Sequence, residues 1–235
     1  MASVLAFCPH ESLIPIAGPF ALQVLNYDHA EVEAVAALRT VGLCIAADEQ
    51  LGTQLVAGGL LAAVRKELNA GRHKTRMLSL WVLCNVVANT EEDATSFMGD
   101  HQLFYMAMQL TRSPIYAERK ESLHLLANLI HALKGTPDKI RQLLSMSEVE
   151  AQLRSFLVNS DHVSLTMLAL HSIDDLFTSI PELKEDFEKT GGLDCLEDLQ
   201  LHHDEQVNEQ ALDLAKRHFG CVEEVSMQAG GTFSI

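Results

Sequence analysis

Apolar positions recur along this chain at helical spacing, in a cycle of one long stretch followed by a pair of shorter ones. From Glu31 to Ala47 the residues Val32, Val35, Ala36, Leu38, Val41, Leu43 and Ile45 suit a helix buried on more than one side, with Asp28 as the expected N-cap. Gln50 to Leu68 follows, broken at Gly58-Gly59, and Asn69-Ala70-Gly71 ends the unit. The cycle then repeats. His73 to Val87 is long, and Glu91 to Leu110 is a pair broken near Gly99-Asp100. Ala117 to Leu133 is long and stops at Gly135-Thr136-Pro137; Asp138 to Val158 is a pair. Ser164 to Phe177 is long, Pro181 to Leu201 is a pair broken at Gly191-Gly192, and Gln206 to Phe219 is the last long stretch. Residues 1–26 are irregular in pattern, with Pro9, Pro15, Gly18 and Pro19, although Phe20 to Leu25 suits the last helix of an incomplete unit. From Gly220 onward the chain reads as a frayed tail.

The cycle is written into the residues as well. Ser79-Leu80-Trp81-Val82-Leu83-Cys84-Asn85 returns 43 residues later as Ser122-Leu123-His124-Leu125-Leu126-Ala127-Asn128. Ala37 to Leu43 precedes it by 42 residues, and Leu168 to Phe177 follows about one period on. A period near 40–47 residues in an all-helical chain points to HEAT or armadillo units, and three helices per unit favours armadillo. The expected fold is all-α, a right-handed α-α superhelix. Residues 1–28 are expected to form an irregular segment or partial repeat, 29–222 about four repeats with a closing helix, and 223–235 a flexible tail. Such stacks present one long concave surface, so function is expected in a groove rather than a catalytic pocket. A first unit whose outer end is not capped is expected to self-associate.

Composition narrows the classes. Only 6% of residues are aromatic, which suits closely packed helices more than a β-sandwich. A formal charge of −15 disfavours binding to a phosphate backbone, so neither nucleic acid nor, in the absence of a long apolar run, a membrane is an expected partner. The acidity suits either a basic partner or simple solubility. Five cysteines without a C-x-x-C pair read as reduced thiols in a reducing compartment, and no basic n-region precedes an apolar run as in a secretory signal. His202-His203-Asp204 lacks metal-ligand spacing to other groups and reads as a solvated loop. No P-loop, G-x-S-x-G, H-E-x-x-H or dinucleotide turn is present, so no catalytic residue, metal or cofactor is expected, and the chain is not expected to be an enzyme.

Leu80-Trp81-Val82-Leu83-Cys84-Asn85-Val86 resembles the W-x-x-x-N element on the third armadillo helix of importin-α, the adapter for nuclear localisation signals. Flanking segments agree in order: Leu38-Arg39-Thr40-Val41-Gly42, then Arg119-Lys120-Glu121-Ser122 entering His124-x-x-x-Asn128, then Gly191 to Gln200 with Ala211-Leu212-Asp213-Leu214 and Phe219, similar to the family's C-terminal closure. The resemblance covers about residues 29–222 and matches the family's last four units. It implies a concave peptide-binding groove lined by Trp81, Asn85, Asn128 and Glu121, with Arg39 and His124 beside them. It also implies partners among basic localisation signals and transport factors, a recycling exportin or nucleoporin at the C-terminal units, and residence in cytoplasm and nucleus. The family's importin-β-binding segment and its earlier units have no counterpart here, and a fragment of a longer chain accounts for that as well.

A Trp and an Asn four residues apart share one helix face. Adjacent indoles make slots for Lys or Arg stems, worth about 0.5–2 kcal/mol each by cation–π attraction. The Asn amide can pair with the backbone of an extended peptide. Here only Trp81/Asn85 is a full rung: His124/Asn128 has imidazole for indole, Arg39/Leu43 lacks the amide, His171/Asp175 is degenerate, and Leu78 stands where the family places a Glu. Losing one slot and one amide removes about 2–3 kcal/mol, a 30- to 150-fold loss of affinity. Two bland readings stand beside this one. Trp81 suits core or rim packing, and the asparagines suit satisfaction of loop backbone groups. An armadillo scaffold that has lost signal recognition is the alternative function.

Overall fold

The computed structural model describes residues 13–70, 72–158 and 162–220, and among these it contains helices and turns only. The helices are α1 (Ile14–Asn26), α2 (Glu31–Ala47), α3 (Glu49–Ala57), α4 (Leu60–Asn69), α5 (His73–Asn89), α6 (Glu91–Gly99), α7 (His101–Gln109), α8 (Tyr116–Leu133), α9 (Pro137–Met146), α10 (Val149–Val158), α11 (Val163–Ser179), α12 (Leu183–Lys189), α13 (Gly192–Leu199) and α14 (Glu205–Phe219). The long helices α2, α5, α8, α11 and α14 pack in series, each on the next. The medium helices α4, α7, α10 and α13 back them, with α4 against α7 and α10 against α13. Each unit thus sets one long helix in one layer and its shorter helices behind it.

Local chemistry sets the breaks. Gly59 and Gly191 lie at φ 97° and 80°, left-handed values that a side chain rarely adopts, each as the N-cap residue of a medium helix. Asp48, Thr90, Asp100 and Asp204 cap α3, α6, α7 and α14 by accepting backbone N–H bonds. The start of α2 differs from the sequence expectation: its N-cap is Ala30, not Asp28, and the Glu33 carboxylate accepts the Ala30 N–H at 2.8 Å in the cap's place.

The N-terminal segment also differs. Residues 14–26 are one helix, which contains the expected Phe20 to Leu25 stretch and extends it back through Pro15, Gly18 and Pro19. Pro15 sits in the first turn, where a missing N–H costs nothing. Pro19 gives up one bond, but Ile14, Ala21, Leu22 and Leu25 are buried and outweigh it. Gly18 lets α1 lie close to the next helices; a Cβ there would stand 3.2 Å from the Leu55 side chain. The tail from 221 lies outside the described residues.

The core runs the length of the stack, with Leu38, Leu80, Leu83, Leu123, Leu126, Leu153, Leu170 and Leu214 almost completely buried. Polar links between successive units recur one period apart. Arg65 donates to Asp100 at 2.7 Å. Thr136 donates to Glu91 at 3.0 Å, and Lys139 reaches the same carboxylate at 2.8 Å. Arg154 donates to the Thr190 carbonyl at 2.6 Å. A further link centres on the buried Glu118 of α8, whose carboxylate takes Arg76 Nε from α5 at 3.0 Å and the Ser113 hydroxyl at 2.6 Å.

Candidate functional site

On the long helices one stripe escapes burial in every unit. It comprises the positions that lie −7, −4, −3, 0, +4 and +7 from Arg39, Trp81, His124 and His171, all of them exposed or half-buried. The stripe therefore carries Val35, Arg39 and Leu43 on α2; Lys74, Met77, Leu78, Trp81 and Asn85 on α5; Lys120, Glu121, His124 and Asn128 on α8; and Met167, Leu168, His171 and Asp175 on α11. Because the four helices pack side by side, these stripes make one continuous wall. All six residues singled out from the sequence, Arg39, Trp81, Asn85, Glu121, His124 and Asn128, lie on it.

Their contacts differ from an open ladder. The Trp81 indole lies flat on α2 at Gly42, so close that a Cβ at Gly42 would stand 2.2 Å from Cζ3. Glycine is needed there for close approach. Asn85 donates its amide N–H to the Gly42 carbonyl at 3.0 Å, and Asn128 donates to the Cys84 carbonyl at 3.4 Å. These two bonds are one motif repeated a unit apart, with each amide donating to the residue one unit back. Asn89 extends the pattern, donating to the Glu49 carbonyl at 3.0 Å and to Asp93 at 2.7 Å. The asparagines thus bind successive units together through their N–H groups. The Asn85 and Asn128 side-chain oxygens accept no bond among the described residues, and they remain the acceptors that a peptide N–H could use.

The acidic groups are partly committed. Asp175 takes His131 at 3.0 Å and Lys134 at 3.8 Å. Glu121 has no ion-pair partner among the described residues; behind it the Cys84 thiol points to the Glu121 carbonyl at 3.7 Å. Burial, and then the Glu121 charge, push the Cys84 thiol far above its usual range, so it is held as the neutral thiol. Arg39 is exposed and likewise unpaired among the described residues. The wall from α2 to α11 therefore carries Arg39, Lys74 and Lys120 against Glu121 and Asp175, close to balance although the whole chain has a charge of −15. Neither lysine was among the site residues singled out from the sequence. The signal for them was there, since they stand seven and four residues before the central positions.

At the C-terminal end Asp174 on α11 is clasped by α14, accepting from His218 at 2.6 Å and Arg217 at 2.5 Å. Partial burial raises its carboxyl, but the bonds from His218 and Arg217 outweigh that and hold it below the ordinary carboxylate value. The His218 ring stands edge-on to Phe177, which also meets Phe187 and Phe219. The His202 and His203 rings lie 4.2 Å apart, and Asp204 caps α14.

Comparison with known proteins bears on this geometry. The model of the atypical Arm repeat family matches residues 182–230, which span α12 to α14. A designed armadillo repeat protein in complex with the peptide (KR)4 shares the fold at TM-score 0.74 and 19% identity, over 83% of this chain and 79% of that one. The chain is an armadillo-repeat solenoid. A computationally designed armadillo repeat protein for modular peptide recognition agrees with this solenoid at TM-score 0.72 and 20% identity, over 83% and 79% of the two chains. An engineered protein agrees at TM-score 0.71 and 16% identity, covering 94% of this chain. No curated protein matches the sequence. In the solenoid, α2, α5, α8, α11 and α14 are the third helices of successive units, packed side by side.

Proposed function

We propose that this solenoid is a protein-interaction module that takes an extended segment of a partner protein along its inner wall. The observation that carries this reading is the register of Trp81, Asn85, His124 and Asn128. Two aromatic rings, indole and imidazole, and two amide oxygens stand at one-unit spacing on a wall of half-buried side chains. A peptide backbone could pair with the amides while its side chains pack between Met77, Trp81 and His124.

The finer form of this reading is an importin-α-like adapter that binds basic localisation signals or transport factors in nuclear import, at home in cytoplasm and nucleus. The Trp81/Asn85 rung, the unpaired Glu121 and the (KR)4 peptide held by the designed relative support it. A second reading is a scaffold that kept the architecture and lost signal recognition. The lysines on the wall favour it, since Lys74 and Lys120 repel a basic ligand.

Fluorescence anisotropy with labelled (KR)4 and with an acidic peptide of equal length separates the two. Binding of (KR)4 that weakens at least tenfold in Trp81→Ala supports the adapter. Equal or tighter binding of the acidic peptide sinks the adapter and leaves the module. Failure of both peptides and of partner segments to respond to Trp81→Ala removes the wall as the site.

A further inference from the structure

Helix α1 is apolar on two sides. Ile14, Ala17, Gly18, Ala21, Leu22 and Leu25 are buried against α2, α3 and α4. On the other side Leu13, Ile16, Phe20 and Tyr27 are 46%, 68%, 49% and 72% exposed, with Val24 half-buried among them. Successive members are three, four, four and three residues apart, so they form a single stripe about 20 Å long at the helical rise. The far end of the stack is finished differently: α14 turns Glu205, Gln206, Glu209, Asp213, Lys216 and Arg217 to solvent.

We infer that the α1 stripe is the contact between two copies of this chain, paired end to end about a two-fold axis. Charge selects that occupant. No Asp, Glu, Lys or Arg occurs from Leu13 to Tyr27, in a chain whose formal charge is −15. Here two copies meet without setting like charges face to face, which costs elsewhere on this surface. Among the described residues the outer face of helix α14 offers no complementary apolar stripe, so head-to-tail growth is disfavoured and the assembly closes as a dimer. The stripe exposes roughly 400–500 Å² of apolar surface, the size of the largest patches on ordinary monomers. With a rim of Gln23 and Asn26 it approaches the lower end of the area, about 600–800 Å² per partner, that specific interfaces bury. The dimer is therefore expected to be weak and concentration-dependent. Asp28, Glu31 and Glu33 lie just beyond the stripe, so their mutual repulsion is screened by salt and the dimer tightens as ionic strength rises.

Sedimentation velocity on the full chain tests the inference across a dilution series at low and high salt. The expected result is a shift from one to two chain masses as concentration rises, moved several-fold to lower concentration by salt. Ile16→Asp with Phe20→Asp should leave the helical circular dichroism unchanged and the chain monomeric throughout. Tyr105→Asp, an equally exposed aromatic on α7, should leave the dimer intact. A chain that stays monomeric at every concentration overturns the inference, as does a dimer that survives the double substitution. A monomer that dimerises only when residues 1–12 are deleted also overturns it, assigning the stripe to the chain's own N-terminus.

Discussion

The seating of Trp81 on Gly42 makes a sharp test of the inner wall. Gly→Ala in a helix interior ordinarily stabilises by about 1 kcal/mol through backbone entropy. Here the added Cβ would stand 2.2, 2.7 and 2.8 Å from three carbons of the indole. Carbon atoms settle at about 3.5–4.0 Å, so the ring must retreat by about 1.5 Å or α2 and α5 must part. Overpacking of that kind costs about 1–3 kcal/mol. Gly42→Ala is therefore expected to be destabilising by about 0–2 kcal/mol, net of the propensity gain. In a Trp81→Ala background the clash is gone, and the same substitution should stabilise by about 1 kcal/mol. The coupling between the two sites should then be about 1–3 kcal/mol. Urea denaturation followed by far-UV circular dichroism measures each corner of the cycle. Trp81 is the single tryptophan, so its emission reports the displacement directly and should move to the red in Gly42→Ala. If Gly42→Ala stabilises both backgrounds equally and leaves the emission unchanged, the indole does not lie on α2 and the wall described above is wrong.

Two further outcomes follow from the packing. Glu118→Ala should destabilise by about 2–3 kcal/mol, and Glu118→Gln by less, in the same urea assay, because removing a buried carboxylate strands its cation and Arg76 keeps only part of its contact with water. Asp174 is held below the ordinary carboxylate value by His218 and Arg217. Its stabilisation is thus complete above about pH 4, the unfolded value, and is lost as the pH falls through the lower folded value. The gap in thermal midpoint between wild type and Asp174→Asn should be constant from pH 7 to about 4 and shrink below it.

Legibility followed the strength of the local signal. The long helices and glycine breaks could be read because period, cap and left-handed turn all point to the same boundary. The start of α2 was misread because Ala30 has no capping side chain; Glu33 supplies the carboxylate from inside the helix. Helix α1 was misread for a related reason. Pro15, Gly18 and Pro19 are local breakers, and what overrides them is the burial of Leu22 and Leu25 against helices that lie later in the chain. Among the candidate residues, spacing alone brought Arg39, Trp81, His124 and Asn128 to one wall. It allowed that Asn85 and Asn128 serve backbone groups, but it did not place those carbonyls on the long helix of the preceding unit, and it gave no hint that the wall is nearly balanced in charge.

The sequence alone determined the repeat, the helix count per unit and which residues share a face, because each depends on positions within a few turns or one period of each other. Only the tertiary structure decided what those residues touch. Trp81 meets Gly42, Arg76 meets Glu118 and Asp174 meets His218 across distances of about one unit in sequence but a few ångströms in space. The reason is geometric: a helical period specifies direction around an axis, while the separation of two axes is set by how the side chains between them pack.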